Sequence, residues 1–464
     1  MGLAADIAVQ RWSAVAVLET AWRDPAAAAA VFAGEPYALL LLSDGSAGGR
    51  WSYLLRQPER VLTVGGGAPA VALAEAAALL GPPMRTHQGG PPFQGGLAGL
   101  ASYELGLAYE PAVGARRDPD WPDLAAGLYP ALLAFDHIER RVLALGRGSN
   151  PDQAKAGAEA ALDWLAAAAP PTPAAGDLAE AFEPLGSAPA YRDAVADVVA
   201  RIAAGEIFQA NVARAWGGRL RAGRAPYDLM SRLAADSPAP FAAYLRLPGL
   251  AVVSNSPERF LKVGADGRVE TRPIKGTRPR GAGPVQDAAL AAELAASAKD
   301  RAENLMIVDL MRNDLARVCT PGSVEVPDLW RLESFANVHH LVSTVTGRLA
   351  PGTGAFDLMA AAFPPGSVTG APKVQAMRVI AAHEPPRGPY CGSIFWAGFD
   401  GAFDSSVLIR TAAFVGTADG WRFEARAGAG IVADSDPAME CDETEAKIAA
   451  IQRAFGARTL RALP

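Results

Sequence analysis

The pattern of apolar and polar positions divides the chain into a strand-rich first half and a second half with blocks of strands and helices. Short aliphatic and aromatic runs at residues 37–42, 132–135 and 141–145 are typical of β-strands. An Ala- and Pro-rich stretch at 166–176 indicates a linker or a long surface loop. The sequence therefore predicts a sheet-rich region at 1–165, a linker or surface loop at 166–186 and a second region at 187–464.

The second region contains segments with the periodicity of helices and segments with that of strands. Apolar residues recur at helical spacing within residues 190–204, so that Val195, Val198 and Ile202 would share one face of a helix. Strand-like runs lie at 207–214, 241–247, 251–254 and 269–274. Helical patterns lie at 288–299, 303–315, 373–382 and 437–455. Strands in one block and helices in another favour an α+β layered architecture over a doubly wound parallel sheet.

Composition and charge narrow the possible partners. The chain has 464 residues, of which 50% are hydrophobic, so it can bury a substantial core. Acidic residues outnumber basic ones 49 to 43, and no block is rich in Lys or Arg. Neither nucleic acid nor a membrane surface is therefore expected as a partner. Asp6 and Arg11 interrupt the N-terminal stretch, which predicts neither a secretory signal nor a membrane anchor.

The cysteines indicate a reducing compartment. Cys319, Cys391 and Cys441 are widely spaced and odd in number, which argues against a disulfide framework. None has zinc-ligand spacing or lies in a tight glycine turn that would present a thiolate. We expect all three to be small buried hydrophobic residues in a cytoplasmic protein.

The segment 272–280 contains the strongest candidate for a reactive group. Lys275 lies there among Arg272, Arg278 and Arg280, between prolines and a glycine. Neighbouring positive charge and burial both disfavour an ammonium group, so the pKa of Lys275 should fall and its neutral amine could act as a nucleophile. The alternative is a basic turn that binds phosphate or carboxylate.

Carboxylates on two predicted helices suggest a metal site. A helix that begins near Pro437 would place Glu440, Glu443 and Lys447 on one face. Glu303 is predicted to begin a second, largely buried helix, with Asp300 just before it. Carboxylates without a His or Cys cluster suit Mg²⁺, which uses oxygens of an anionic substrate to complete its shell. The alternative is a solvated helix face with a Glu443–Lys447 ion pair.

A series of motifs resembles that of the chorismate-utilising enzymes in order and spacing. The motifs lie at residues 273–280, 300–314, 363–377, 390–410 and 428–447. Residues 92–99 and Tyr103 resemble the N-terminal region of the family more loosely. The resemblance implies an α+β fold like that of anthranilate synthase component I, with two packed antiparallel β-sheets flanked by helices. It also makes residues 187–464 the chorismate-binding catalytic region.

The resemblance also implies roles for individual residues. Lys275 would be the catalytic nucleophile and Glu258 the general acid that protonates the departing C4 hydroxyl. Glu303, Glu440 and Glu443 would bind Mg²⁺. Contacts with the substrate are implied for Thr277, His340, Tyr390, Arg410, Gly428, Ala429, Gly430 and Lys447.

Two positions discriminate among the reactions of the family. Gln209 occupies the position at which water-adding members carry a lysine, so ammonia is favoured over water as the nucleophile. Lys275 favours amination at C4 to 4-amino-4-deoxychorismate, a step towards 4-aminobenzoate and folate. The alternative reaction forms anthranilate and pyruvate. A third alternative, a non-catalytic chorismate- or amino-acid-binding subunit, would be expected to lack at least one of Glu258, Lys275, Glu303 and Glu443, and all four are present.

The sequence also suggests a protein partner and an amino-acid ligand. The chain lacks a glutaminase cysteine turn, so a separate glutamine amidotransferase subunit is expected to supply ammonia. The segment Leu18 to Ala21 weakly resembles the strand that binds tryptophan in the family, and an ordinary edge strand is an equal alternative.

Overall fold

The computed structural model describes residues 11–46, 49–65, 71–84, 86–114, 116–167, 175–334 and 338–456. The N-terminal stretch considered above therefore lies largely outside the described residues, as do residues 168–174 of the predicted linker.

Strands occur on both sides of that linker. Those before it are β1 (Ala14–Ala21), β2 (Leu39–Leu42), β3 (Trp51–Leu55), β4 (Arg60–Val64), β5 (Gly96–Ala101), β6 (Leu124–Tyr129), β7 (Ala131–Asp136) and β8 (Arg141–Gly148). Those after it are β9 (Glu183–Pro184), β10 (Gln209–Arg219), β11 (Phe241–Leu247), β12 (Leu250–Ser256), β13 (Arg259–Val263), β14 (Arg268–Thr271), β15 (Ile274–Pro279), β16 (Glu325–Ser334), β17 (Val338–Arg348), β18 (Gly370–Ala371), β19 (Ser393–Gly398), β20 (Phe403–Ser406), β21 (Thr411–Thr417) and β22 (Gly420–Ile431).

The strands form two sheets. The first has the order β1-β8-β7-β3-β2-β11-β12-β21-β22-β10-β18, with β9 also paired to β10. The second has the order β15-β17-β14-β13-β20-β19-β5-β6-β4, with β16 also paired to β17. Neighbouring strands in both sheets run antiparallel. Both sheets contain strands from before and after the predicted linker, whose role as a boundary stays a prediction.

Helices lie against the two sheets. They are α1 (Pro25–Ala30), α2 (Ala72–Leu80), α3 (Pro151–Asp163), α4 (Ala188–Ala203), α5 (Pro226–Asp236), α6 (Pro284–Ala296), α7 (Ala298–Ala316), α8 (Ala355–Ala362), α9 (Lys373–His383) and α10 (Pro437–Phe455). No helix in the described ranges is long and apolar enough to cross a membrane.

Strand alternation explains how the layers are held together. Leu39 of β2 packs with Leu100 of β5 in a cluster between the sheets, whereas its neighbour Leu40 faces the opposite way and packs with Phe455 of α10. A third cluster joins the second sheet to α7 through Ile307. The result is helices, sheet, sheet and helices in successive layers, which confirms the predicted α+β fold with two packed antiparallel sheets.

Local predictions were confirmed in part. The predicted bounds 241–247 and 437–455 coincide with β11 and α10, and all three cysteines are free and buried. The predicted strand 269–274 was wrong, because the chain leaves β14 after Thr271 and begins β15 at Ile274, after a proline that has no N–H to donate. Glu303 does not begin its helix: Ser297 caps α7 by accepting from the N–H of Asp300, so Glu303 lies in the second turn.

Candidate active site

A cavity of about 800 Å³ lies where strands of both sheets meet the N-terminal parts of α7 and α10. Nearly all the predicted site residues line it, although they come from distant parts of the chain. The residues are Glu258, Lys275, Thr277, Glu303, His340, Tyr390, Arg410, Gly428, Gly430, Glu440, Glu443 and Lys447. The one predicted residue missing from this lining is Ala429, whose side chain is fully buried on the other face of β22.

Lys275 is positioned by a β-bulge at the edge of the second sheet. The register of β15 against β17 shifts between Lys275 and Thr277, and Gly276 between them has φ 78°. A Cβ at Gly276 would lie 2.8 Å from Leu294 and 2.9 Å from Asp300, so only glycine fits this left-handed position. Such a bulge changes the direction of neighbouring side chains, and here both flanking residues line the cavity.

The environment of Lys275 favours its neutral amine. Burial is the main cause of its lowered pKa and the ammonium of Lys447 adds to it, whereas Glu303 and Glu258 oppose the shift. Burial was one of the two predicted causes, whereas the positive charge comes from Lys447 instead of the predicted arginines, which are paired with carboxylates. Arg272 pairs with Glu333, Arg278 with Glu293 and Asp300, and Arg280 with Asp287.

Glu258 lies between β12 and β13 and is 8% exposed. Its Oε1 accepts a hydrogen bond of 2.7 Å from the hydroxyl of Ser367. Burial raises its pKa, and this effect outweighs the opposing hydrogen bond from Ser367 and the charge of Lys275. A carboxyl group with a raised pKa can serve as a proton donor near neutral pH.

Strand β22 brings the main chain close to the reactive groups. A Cβ on Gly430 would lie 2.9 Å from Nε2 of Gln209 and 3.3 Å from Nζ of Lys275. A Cβ on Gly428 would lie 2.6 Å from Oδ1 of Asn211. These glycines therefore leave room for the side chains of β10 and β15 to approach the strand.

One wall of the cavity carries an arginine suited to a carboxylate ligand. Arg410 has φ 53°, and within the described ranges its guanidinium has no salt bridge to a carboxylate. Burial lowers its pKa, and Tyr390 and Glu443 oppose that shift. Nearby, the hydroxyl of Thr277 is 3.0 Å from Nδ1 of His340, whose pKa is lowered by burial.

The three glutamates predicted to bind a cation, Glu303, Glu440 and Glu443, all line the cavity. Burial raises the pKa of Glu303, and the charges of Asp300 and Glu440 raise it further. Burial and the charge of Glu443 likewise raise the pKa of Glu440, which accepts from Ser435 at 2.7 Å. In the described part of the chain, no group of three or more His, Cys, Asp or Glu side chains is arranged so that it could hold a metal ion. The donor set fits a hard cation that takes its remaining ligands from water and substrate.

Lys447 connects α10 to β22. Its Nζ donates to the carbonyl oxygen of Gly428 at 2.9 Å and lies 2.5 Å from Oε1 of Glu443. The Glu443–Lys447 pair that could have been a solvated surface pair thus lies at the wall of the cavity.

A buried network behind the cavity escaped the sequence prediction. The Arg387 guanidinium donates to the carbonyl oxygens of Asn211 at 2.6 Å and Val368 at 3.0 Å. Glu104 accepts from the main-chain N–H groups of Arg387 at 2.7 Å and Gly388 at 2.9 Å. Burial raises the pKa of Glu104 to about 7. A charged residue within the apolar run 97–108 was the available signal, but its partners lie far away in the sequence.

The segment Leu18 to Ala21, which weakly resembles the tryptophan-binding strand of the family, forms part of β1 at the edge of the first sheet. Glu19 pairs there with Arg141 of β8 at 2.7 Å. This arrangement is that of an ordinary edge strand.

Comparison with known proteins identifies the family to which this chain belongs. Residues 41–453 match the family described as chorismate binding enzyme. The chain is 45% identical over 360 residues to aminodeoxychorismate synthase component 1 of Klebsiella aerogenes, which covers 77% of this chain and 76% of that protein. It is 40% identical over 438 residues to anthranilate synthase component 1 of Streptomyces coelicolor, covering 88% of this chain and 82% of that protein.

The fold comparison agrees with this class. The crystal structure of anthranilate synthase component I from Streptococcus pneumoniae TIGR4 superposes with a TM-score of 0.77 at 28% identity, and covers 88% of this chain and 93% of that one. The fold and the site thus define a chorismate-utilising enzyme. The chain belongs to the chorismate binding enzyme family.

Proposed function

We propose that this protein acts in the cytoplasm as component 1 of an aminodeoxychorismate synthase and converts chorismate and ammonia into 4-amino-4-deoxychorismate. The observation that carries this proposal is the pair formed by a lysine of lowered pKa and a carboxyl group of raised pKa in one cavity. The 45% identity to a relative of that name supports the same reaction.

The reaction is proposed to begin at Lys275. Its neutral amine forms a bond to C2 of the substrate as the C4–O bond breaks and the ring double bonds shift. Glu258 gives its proton to the departing oxygen, so that water leaves instead of hydroxide. The lowered pKa of Lys275 and the raised pKa of Glu258 favour the protonation states that this step requires.

Ammonia then completes the exchange. It forms a bond to C4 while the C2–N bond breaks, and Lys275 leaves as the neutral amine. The new C4 ammonium returns a proton to the Glu258 carboxylate. Gln209 has no basic group that could activate water, which supports ammonia as the nucleophile.

Glu303, Glu440 and Glu443 are proposed to hold Mg²⁺. The bound ion would neutralise the ring carboxylate of chorismate and orient it. Arg410, Tyr390 and Lys447, with the main-chain amides of residues 428–430, are proposed to bind the remaining anionic oxygens. Thr277 and His340 would border the same ligand.

A separate glutamine amidotransferase subunit is proposed to supply the ammonia. The name component 1, carried by the relative from Klebsiella aerogenes, is consistent with a two-component enzyme. Tryptophan binding at Leu18 to Ala21 stays a prediction that calorimetric titration with tryptophan can test.

The second candidate is anthranilate synthesis, favoured by the 40% identity to anthranilate synthase component 1 of Streptomyces coelicolor. Lys275 argues against it, because a covalent bond from lysine to C2 leaves C4 as the position for ammonia.

Product identification separates the two. The purified chain is incubated with chorismate, Mg²⁺ and excess ammonium at mildly alkaline pH, and the products are identified by liquid chromatography and mass spectrometry. Aminodeoxychorismate without pyruvate is expected. Anthranilate with pyruvate would overturn the proposal.

A further inference from the structure

Asn211 is a buried polar residue in the wall of the cavity. It lies on β10 and is 6% exposed. Its Oδ1 is sealed from solvent and has no hydrogen-bond partner among the described residues. A buried amide oxygen without a partner is costly, so such a group in a native site needs an explanation.

The backbone of Asn211 is held firmly on both sides. Its N–H donates to the carbonyl oxygen of Thr369 at 2.9 Å, and its own carbonyl oxygen accepts from Arg387 at 2.6 Å. The strand also pairs with β22 opposite Gly430. The side chain therefore projects from a rigid support, as expected for a group that binds a ligand in a fixed orientation.

Asn211 and Tyr390 converge on one point above β22. A Cβ at Gly428 would lie 2.6 Å from Oδ1 of Asn211 and 3.0 Å from the hydroxyl oxygen of Tyr390. Tyr390 is also close enough to Arg410 to influence the pKa of its guanidinium. Asn211, Tyr390 and Arg410 thus form a continuous polar wall.

The charges of the cavity indicate which part of chorismate faces this wall. Chorismate carries one carboxylate on the ring and another on its enolpyruvyl side chain, on opposite sides of C2. The proposed function places the ring carboxylate at the metal-binding glutamates and C2 at Lys275. The side-chain carboxylate then falls to Arg410, which lines the same cavity and forms no salt bridge with a carboxylate of the described residues.

We infer that the side-chain amide of Asn211 binds the enolpyruvyl group of the substrate, together with Tyr390, and makes the enzyme select ligands that carry this group. This inference rests on the proposed function. In it, the amide turns by half a turn about its Cβ–Cγ bond, so that Nδ2 takes the place of the unpartnered Oδ1 and donates to an oxygen of the enolpyruvyl group. The residue is a specificity determinant with no part in proton transfer.

Two substitutions of nearly equal size test the inference. Asn211→Val removes the amide, and Asn211→Asp replaces its donor by a negative charge. Binding is measured by calorimetry for chorismate and for an analogue with a hydroxyl in place of the enolpyruvyl ether. Asn211→Val should weaken chorismate binding about 5- to 100-fold, and Asn211→Asp should weaken it more. Both variants should bind the analogue within about twofold of the wild-type value.

Each outcome has a definite meaning. Equal loss of affinity for chorismate and the analogue would show a structural role and overturn the inference, as would unchanged chorismate binding in Asn211→Val. Tighter chorismate binding by Asn211→Asp than by Asn211→Val would show that the residue faces a donor, and would overturn it too. If the wild-type protein does not bind chorismate, the proposed function itself fails.

Discussion

The hydroxyl of Ser367 donates a hydrogen bond of 2.7 Å to the carboxyl group of Glu258. This bond favours the ionised carboxylate and opposes the rise in pKa that burial causes. Ser367 therefore adjusts the proton affinity of the proposed general acid from a different segment of the chain.

Substitution Ser367→Ala should shift the pH dependence of catalysis. The proton donor is active while protonated, so activity is lost as the pH rises through the pKa of Glu258. Without the hydrogen bond that pKa should be higher, and the alkaline limb of kcat/KM should move to higher pH. The pH–rate profile measures this shift. Ser405→Ala is a control. Ser405 is buried outside the cavity and its hydroxyl donates to the carbonyl oxygen of Leu261, so its removal should leave the alkaline limb of the pH–rate profile unchanged.

Substitution Lys275→Ala should lower aminodeoxychorismate formation on the order of 10³-fold or more, because it removes the proposed nucleophile. Mass spectrometry of the quenched wild-type enzyme should detect a covalent adduct that the variant lacks. Lys155→Ala removes an exposed lysine of α3 and serves as a control. An unchanged rate in Lys275→Ala would refute the lysine mechanism.

Two further substitutions should move the pKa of Lys275 in opposite directions. Glu303→Gln removes a negative charge that raises this pKa, so the pKa should fall. Lys447→Gln removes a positive charge that lowers it, so the pKa should rise. The measurement is the rate at which a small acylating reagent modifies Lys275 as a function of pH in metal-free buffer. Shifts of the same sign in both variants would contradict the electrostatic assignment.

Substitution Gly430→Ala should reduce kcat about 10- to 100-fold, because the new Cβ would displace Gln209 and the amine of Lys275. Steady-state kinetics and a thermal melt distinguish lost positioning from lost folding. Gly34→Ala is the matched control, since a Cβ there meets no atom within 4 Å. Normal kcat in Gly430→Ala would show that the approach of Lys275 to β22 is unimportant.

Substitution Glu104→Gln should flatten the dependence of stability on pH. The pKa of Glu104 is raised from 4.5 to about 7, so ionisation opposes folding, and stability present below pH 4.5 is lost as the pH rises towards 7. Across that window the wild-type protein should lose up to ~3 kcal/mol relative to the variant. Urea denaturation at a series of pH values measures the difference. Parallel stability curves would show that Glu104 titrates normally.

Much of the fold could be predicted from periodicity, because β11 and α10 are regular and well bounded. The break between β14 and β15 was missed because the apolar run 269–274 continues through it, and Pro273 was the signal against a single strand. The start of α7 was placed too late because its cap, Ser297, precedes the apolar run.

The candidate site was predictable where a residue belongs to a motif, as do Lys275 and Glu258. Burial was predicted as a cause of the lowered pKa of Lys275, but the small effect of its neighbouring arginines was not predictable, because the carboxylates that pair with them lie in other elements. Asn211 could have been noticed as an amide within an apolar strand, but its lack of partners depends on three-dimensional packing.

Strand β22 and helix α10 close the cavity, and they follow Lys275 by a long stretch of chain. Lys275 itself lies on β15, an edge strand of the second sheet, and its pKa is lowered by burial and by Lys447 of α10. The reactivity of this amine is therefore a property of the assembled tertiary structure, since the segment 272–280 alone supplies neither the burial nor the neighbouring ammonium group.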